Sequence, residues 1–268
     1  MGVVNVTPDS FLDGGLFFEP AAAVEHGLRL VADGADVLDV GGQSTRPGAV
    51  AVAVEEELRR VLPVVVGLHQ QTETPISIDT SRARVAAECL AAGAEAINDI
   101  TALTADGEMA ALAAGSGCGV CAMHMQGTPQ TMQKNPQYGD VVEDVFAWLA
   151  ARREALVAAG IALDRIALDP GIGFGKTAAH NLAILNHLSR YRALGCPLLV
   201  GLSQKAFIGQ VLGDPAADRT AGTIGAALAA ARQGVEILRV HDVAAVRHAL
   251  LLFEAAGGLA AESRVGRA

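Results

Sequence analysis

A short apolar run that closes on a polar side chain, a glycine-rich or polar turn, then a stretch with helical spacing: this unit recurs eight times in the chain of 268 residues. The runs fall at residues 3–6, 37–40, 76–79, 96–99, 120–123, 166–169, 197–201 and 236–241. Each is short and continuous in its apolar character, as strands covered on both faces are. Between them, residues 20–33, 54–70, 82–92, 106–114, 140–159, 178–192, 221–233 and 243–257 carry apolar side chains at helical spacing. Gly34, Gly93, Gly160, Gly195 and Gly234 stand where a helix C-terminus favours a residue able to adopt positive φ. Eight near-equal units predict an α/β fold closed into a single-domain (β/α)8 TIM barrel over residues 1–268. An open doubly wound sheet is the rival, and the lack of a Gly-x-Gly-x-x-Gly after the first strand speaks against it.

Composition agrees with an enzyme of this class. Hydrophobic residues make up 51% of the chain and aromatics only 4%, so the core has to be built from Ala, Val, Leu and Ile, which suit barrel layers. Asp, Arg, Gly or Glu interrupts every apolar run before it reaches membrane length. No basic or apolar leader precedes the first strand, so a cytoplasmic protein without a membrane partner is expected. The net charge of −9, with no basic stripe, argues against a nucleic-acid partner. Cys118-Gly119-Val120-Cys121 has metal-ligand spacing but opens a predicted buried strand, with no second such pair and with Cys89 and Cys196 on other elements. Structural thiols are the expectation there. His180 and His187, two turns apart, read as a solvated or packed helix face.

The stretch Asp169-Pro170-Gly171-Ile172-Gly173-Phe174-Gly175-Lys176-Thr177 imitates a phosphate-binding loop. Pro170 occupies the place of that loop's first glycine and lacks the backbone donor the loop needs, so a nucleoside-triphosphate site is not expected. The polar residues at strand ends are more informative: Asn5, Asp39, Asp79, Asn98, Asp169, Lys205, Arg239 and His241. A barrel brings strand C-termini to one mouth, and the alternation of Arg239 and His241 points both to one side. For Asp39 a structural role, as a helix cap or as part of a polar barrel layer, weighs evenly against a ligand contact. For the set as a whole, burial without a ligand would incur several kcal/mol per uncompensated charge, by rough estimate. Asp79, Asn98 and Asp169 suit a heterocycle rich in N–H donors. Asn5, Arg239, His241 and the Ser44-Thr45-Arg46 loop suit phosphate. Together they suggest a pyrophosphate-activated heterocycle.

The motifs that carry these residues resemble the dihydropteroate synthase family, the sulfonamide-target enzymes of folate synthesis. They are Asn5-Val6-Thr7-Pro8-Asp9-Ser10-Phe11 with Asp13-Gly14-Gly15, Asp39 to Gly48, Ser77-Ile78-Asp79-Thr80, Asn98-Asp99, Met123-His124-Met125, Asp169 to Lys176 and Arg239-Val240-His241-Asp242-Val243. The resemblance extends from the first residues to about residue 257. It implies a Mg²⁺-dependent transfer of a pterinylmethyl group: 6-hydroxymethyl-7,8-dihydropterin pyrophosphate condenses with p-aminobenzoate and pyrophosphate leaves. It further implies a pterin pocket of Asp79, Asn98, Asp169 and Lys205, pyrophosphate on Asn5, Arg239 and His241, and Mg²⁺ on Asn5. Asp79, Asp169, Lys205, Arg239 and His241 would carry the catalysis. Lids around Asp9 and Phe11 and over residues 44–48 would order over the substrates, with Arg46 among the substrate contacts. The p-aminobenzoate ring would meet Phe174, Lys205, Thr45 and Pro47. A homodimer through the late helices, where residues 221–231 are small, is also implied.

Four positions depart from the family pattern. Ser203-Gln204-Lys205-Ala206 replaces the usual Ser-Arg-Lys-Ser, Gln43 replaces a glutamate, and Gln126 stands where arginine is common. A non-catalytic or paralogous pterin-binding protein is the alternative these departures raise. A pterin-dependent methyltransferase would keep the pterin carboxylates but would not need the Ser-Thr-Arg-Pro-Gly loop or Arg239-Val240-His241, and both are present.

Overall fold

The computed structural model describes residues 1–7, 20–46, 48–50 and 52–259. The expected contacts of Asp9, Phe11 and Pro47 lie outside the described residues. Strands β1 (Gly2–Asn5), β2 (Leu38–Gly41), β3 (Ile76–Asp79), β4 (Ala96–Asp99), β5 (Gly119–Met123) and β6 (Ile166–Asp169) form one parallel sheet in chain order. Strands β7 (Leu199–Gly201) and β8 (Ile237–Arg239) form a parallel pair. Two seams join the pieces: a parallel bridge between Leu168 and Leu198, and another between Gly2 and Val240. The Leu168 N–H donates to the Pro197 carbonyl at 2.9 Å and the Val3 N–H to the Val240 carbonyl at 3.0 Å. The order therefore runs from β1 to β8 and back to β1, the closed barrel that the recurring unit predicts.

The helices are α1 (Pro20–Ala32), α2 (Val54–His69), α3 (Ala83–Ala91), α4 (Met109–Ser116), α5 (Val141–Ala158), α6 (Ala178–Asn186), α7 (Leu188–Tyr191), α8 (Ala206–Val211), α9 (Thr220–Arg232) and α10 (Val243–Ala255). The single helix expected over 178–192 is broken at His187, whose φ of −126° and ψ of 25° leave the helical region. His180 does more than fill a helix face. Its ring accepts from the Thr177 N–H while the Thr177 hydroxyl accepts from the His180 N–H, a capping box that starts α6.

Register explains how the barrel separates its two surfaces. Val40, Ile78, Ile97, Val120 and Ile166 align across β2 to β6 and are all buried in the apolar core. One residue further along, Asn5, Gly41, Asp79, Asn98, Cys121 and Ala167 align across β1 to β6. Because side chains alternate along a strand, the branched row and the polar, small row take opposite faces. The first packs on the helices and the second faces the barrel axis. All four cysteines are free and buried, and burial pushes the Cys121 thiol well above its ordinary value.

Candidate active site

The polar row meets its counter-charge from the far side of the barrel. Arg239, the last residue of β8, donates from Nε to Asp39 Oδ2 at 2.6 Å and from Nη2 to Asp79 Oδ2 at 2.8 Å. Asn98 Nδ2 donates to the same Asp39 oxygen at 3.0 Å. Asp39 is fully buried, and its other oxygen has no hydrogen-bond partner. Asp39 thus belongs to a polar layer with Arg239 and Asn98 and is not among the residues that line the cavity. Burial pushes the Asp79 carboxyl up to about 7, with the Arg239 charge opposing it. Burial lowers the Arg239 value in turn, but the charges of Asp39 and Asp79 outweigh that and leave it raised. An arginine at this position reduces the repulsion that would otherwise set two buried carboxylates against each other.

Above this layer opens a cavity of about 860 Å³. Asn5, Asp79, Lys205, Arg239 and His241 line it, as do Ser44, Thr45, Arg46 and Phe174. Asn98 and Asp169, which the sequence places in the same pocket, are each 5% exposed and are not among the residues that line the cavity. Asp169 Oδ1 accepts from the Gly171 N–H at 2.7 Å, so the carboxylate fixes the start of the turn after β6. Burial pushes Asp169 up to about 6, against that hydrogen bond and the charges of Lys205 and Lys176. Lys205 Nζ stands 4.3 Å from the centre of the Phe174 ring, a cation on an aromatic face. Burial and the Arg239 charge bring its ammonium down to about 8. His241 is brought down to about 4 by burial and by the charges of Arg239 and Lys205, so it is neutral at pH 7. Its Nδ1 lies 2.9 Å from Ser203 Oγ, which leaves Nε2 for a ligand.

The departures from the family pattern have separate surroundings. Gln43 Oε1 accepts from the Val52 N–H at 3.3 Å and from Arg82 Nη2 at 3.2 Å, and so ties the base of the 44–50 loop. Arg82 is held in place by Glu57 at 3.0 Å. Gln126 pairs with the Gln137 backbone at 2.8 and 3.0 Å, away from the cavity lining. Gln204 and Ala206 do line the cavity. Gln204 sits at φ 60°, with its carbonyl accepting from Arg219 Nη1 at 2.9 Å.

Among the cavity-lining residues that were not sequence candidates are Ser203 against His241, Arg219 beside Gln204, and Lys176, whose ammonium is bonded to the Phe174 carbonyl.

The chain matches the family model described as pterin binding enzyme over residues 1–241. It is 46% identical over 255 residues to the dihydropteroate synthase of Escherichia coli strain K12, covering 95% of this chain and 90% of that one. The dihydropteroate synthase of Xanthomonas albilineans, solved with 4-aminobenzoic acid, is 48% identical with a TM-score of 0.90 and covers 97% of this chain and 93% of that one. Solved with 7,8-dihydropteroate, the same organism's enzyme gives 45% identity and a TM-score of 0.87 over the same shares, 97% and 93%. With a barrel of the same shape and relatives this similar over nearly its whole length, the chain belongs to the dihydropteroate synthase family of pterin-binding enzymes.

Proposed function

We propose that this chain condenses 6-hydroxymethyl-7,8-dihydropterin pyrophosphate with p-aminobenzoate, giving 7,8-dihydropteroate and pyrophosphate in folate biosynthesis. The observation that carries the reading is the barrel-mouth arrangement of Asp39, Arg239 and Asp79 beneath a cavity that also meets Lys205 and Phe174. It joins acceptors for a donor-rich ring to cationic groups for a leaving anion. The Xanthomonas relative, solved with 4-aminobenzoic acid and with 7,8-dihydropteroate, supports the same pair of ligands here.

The chemistry suits these residue types. An aryl amine is neutral at pH 7 and can attack carbon without a strong base, so the barrier lies in expelling pyrophosphate. As the C–O bond breaks, its electron pair leaves with pyrophosphate; the new C–N bond forms, and the amine proton passes to solvent. Arg239 and the Nε2 side of His241 meet the leaving charge. A pterinylmethyl cation on an SN1-like path would be stabilised by Asp79 and Asp169. Mg²⁺ belongs to the same proposal: one carboxamide oxygen from Asn5 suits an ion that keeps most of its waters and takes further oxygens from substrate phosphate. Bound there, it would supply further neutralisation of the leaving group.

Pyrophosphate release with both substrates is expected to require p-aminobenzoate and to cease on chelation of Mg²⁺. Arg239→Ala and His241→Ala should each depress turnover far more than affinity for a pterin that lacks pyrophosphate. Intact turnover in both variants would withdraw the pyrophosphate assignment. Gln204 and Ala206 favour one second reading, a pterin-binding protein without catalysis; pterin binding with no pyrophosphate release supports it.

The proposal extends to a cytoplasmic homodimer. Leu251 and Leu252 on α10, 50% and 72% exposed, support an apolar face beside the small residues of α9. Free buried thiols suit a reducing compartment. A sedimentation mass of one chain at micromolar concentration would remove the dimer.

A further inference from the structure

Lys176 is 3% exposed, at the end of the turn that follows β6. Its Nζ lies 2.9 Å from His124 Nδ1, 3.0 Å from the Gly171 carbonyl and 2.9 Å from the Phe174 carbonyl, with the His124 carbonyl at 3.4 Å. An ammonium has three protons, and these three nearest acceptors satisfy them if His124 Nδ1 offers its lone pair. His124 is suited to that role: burial and the Lys176 charge push it down to about 3, so the ring is neutral. Trp148 packs edge-on against the ring at 4.9 Å and fixes it.

The acceptors belong to two different elements. His124 follows β5, whereas Gly171 and Phe174 shape the turn after β6. That turn carries Asp169 at its start and Phe174 at its end, and its form is demanding: Gly171 and Gly173 have φ of 70° and 84°, and a Cβ on Gly171 would meet the His124 carbonyl at 1.9 Å.

We propose that Lys176 is a positioning residue for the substrate site: its buried ammonium ties the 171–174 turn to His124 and so holds Phe174 at the cavity wall and, through the Gly171 amide, the Asp169 carboxylate behind it. The inference rests on the reading of Asp169 and Phe174 as substrate contacts. The groups that face Lys176 are His124 after β5, Asp169 on β6 and Lys205 before α8, with Tyr138 and His180 at the turn's outer side, where the Tyr138 hydroxyl donates to the Gly175 carbonyl at 2.8 Å. Burial brings the Lys176 ammonium down to about 7, with Asp169 opposing and Lys205 reinforcing the fall. A neutral amine has two protons for three acceptors, so as pH rises through about 7 the His124 contact is either lost or reversed, with an Nδ1–H tautomer donating to the amine.

The chain contains three lysines, Lys134, Lys176 and Lys205, which makes the titration resolvable residue by residue. In full-length protein labelled at lysine Cε, with Lys176→Arg used for assignment, the Lys176 signal should titrate near neutrality, and the amide shifts of Gly173 and Phe174 should follow the same midpoint. Lys176→Met should raise KM for p-aminobenzoate about tenfold with a much smaller change in kcat. It should also remove the component of the alkaline fall in kcat/KM centred near pH 7 while leaving the one that follows Lys205 near pH 8, and methylammonium should restore part of the affinity in Lys176→Ala. A Lys176 signal that titrates as an exposed lysine does overturns the proposal, as does a variant with wild-type KM and pH profile. Equal losses in kcat and kcat/KM with the pH profile retained also overturn it. If Lys176→Met does not fold, the wild-type titration and its amide shifts still decide. A wild-type chain without turnover defeats the functional reading alone, because the amide titration reads the tie without substrate.

Discussion

At Asp79 and Asp169 the same burial that prepares a ligand site penalises the empty one. Both carboxyls are raised, to about 7 and about 6, because burial disfavours their charge. The folded chain therefore holds their protons to higher pH than the unfolded chain. The stability they contribute is complete below the unfolded value of 3.8 and is lost as pH rises through about 6 and about 7. Lys176 acts in another window and with the other sign: lowered from 10.5 to about 7, it lets stability rise with pH above about 7. Asp169→Asn removes one carboxyl titration while keeping an oxygen for the Gly171 amide. In urea unfolding its stability should fall less than that of the wild type between about pH 4 and pH 7, by on the order of 1–3 kcal/mol. Identical pH slopes in the two proteins would contradict the buried, raised carboxyl. At this scale the sequence displays residue types but not partners. Asp39 and Asp79 stand out as strand-end carboxylates, yet only closure of the barrel brings Arg239 of β8 within 2.6 Å of Asp39 on β2.

The elements show where periodicity suffices and where it does not. Helices α1, α2, α5 and α9 fall within one or two residues of their predicted spans, because three or more turns of apolar spacing define a face. Helix α8, with six residues, is too short to show a period, and it was not anticipated. The seams beside β7 and β8 are single bridges that no sequence pattern marks. The β7–α8 connection also carries Gln204 and Ala206, two of the departures from the family pattern, and both line the cavity. Gln204 accepts a φ of 60°, and its carbonyl is anchored by Arg219, so the loop's path is set by backbone contacts and not by the Gln204 side chain. Restoring Gln204→Arg with Ala206→Ser therefore adds a cation and a hydroxyl to the cavity without redirecting the loop. The expected outcome is a lower KM for p-aminobenzoate, by a few fold for about 1 kcal/mol per hydrogen bond gained. A KM unchanged beyond error would mean that these positions do not shape that site.

For the whole molecule, closure does the organising. Parallel strands in a barrel deliver all their C-termini to one mouth, so polar residues scattered from Asn5 to His241 become neighbours without any local sequence signal linking them. This is why strand-end residues such as Asn5, Asp79, Arg239 and His241 could be grouped from the sequence as lining one mouth: their positions follow from the fold class. The inward side of Lys176, the link from Ser203 to His241 and the role of Gln43 depend on loop paths, and loops are set by contacts that the sequence does not display. The central claim is that this shared mouth binds the pterin through the Asp169 layer. Calorimetric titration of a dihydropterin into the wild type and into Asp169→Asn tests it most directly. The account predicts a loss of roughly 1.5–3 kcal/mol in the variant, the scale of a charge-assisted hydrogen bond; equal affinity in the two proteins would contradict it.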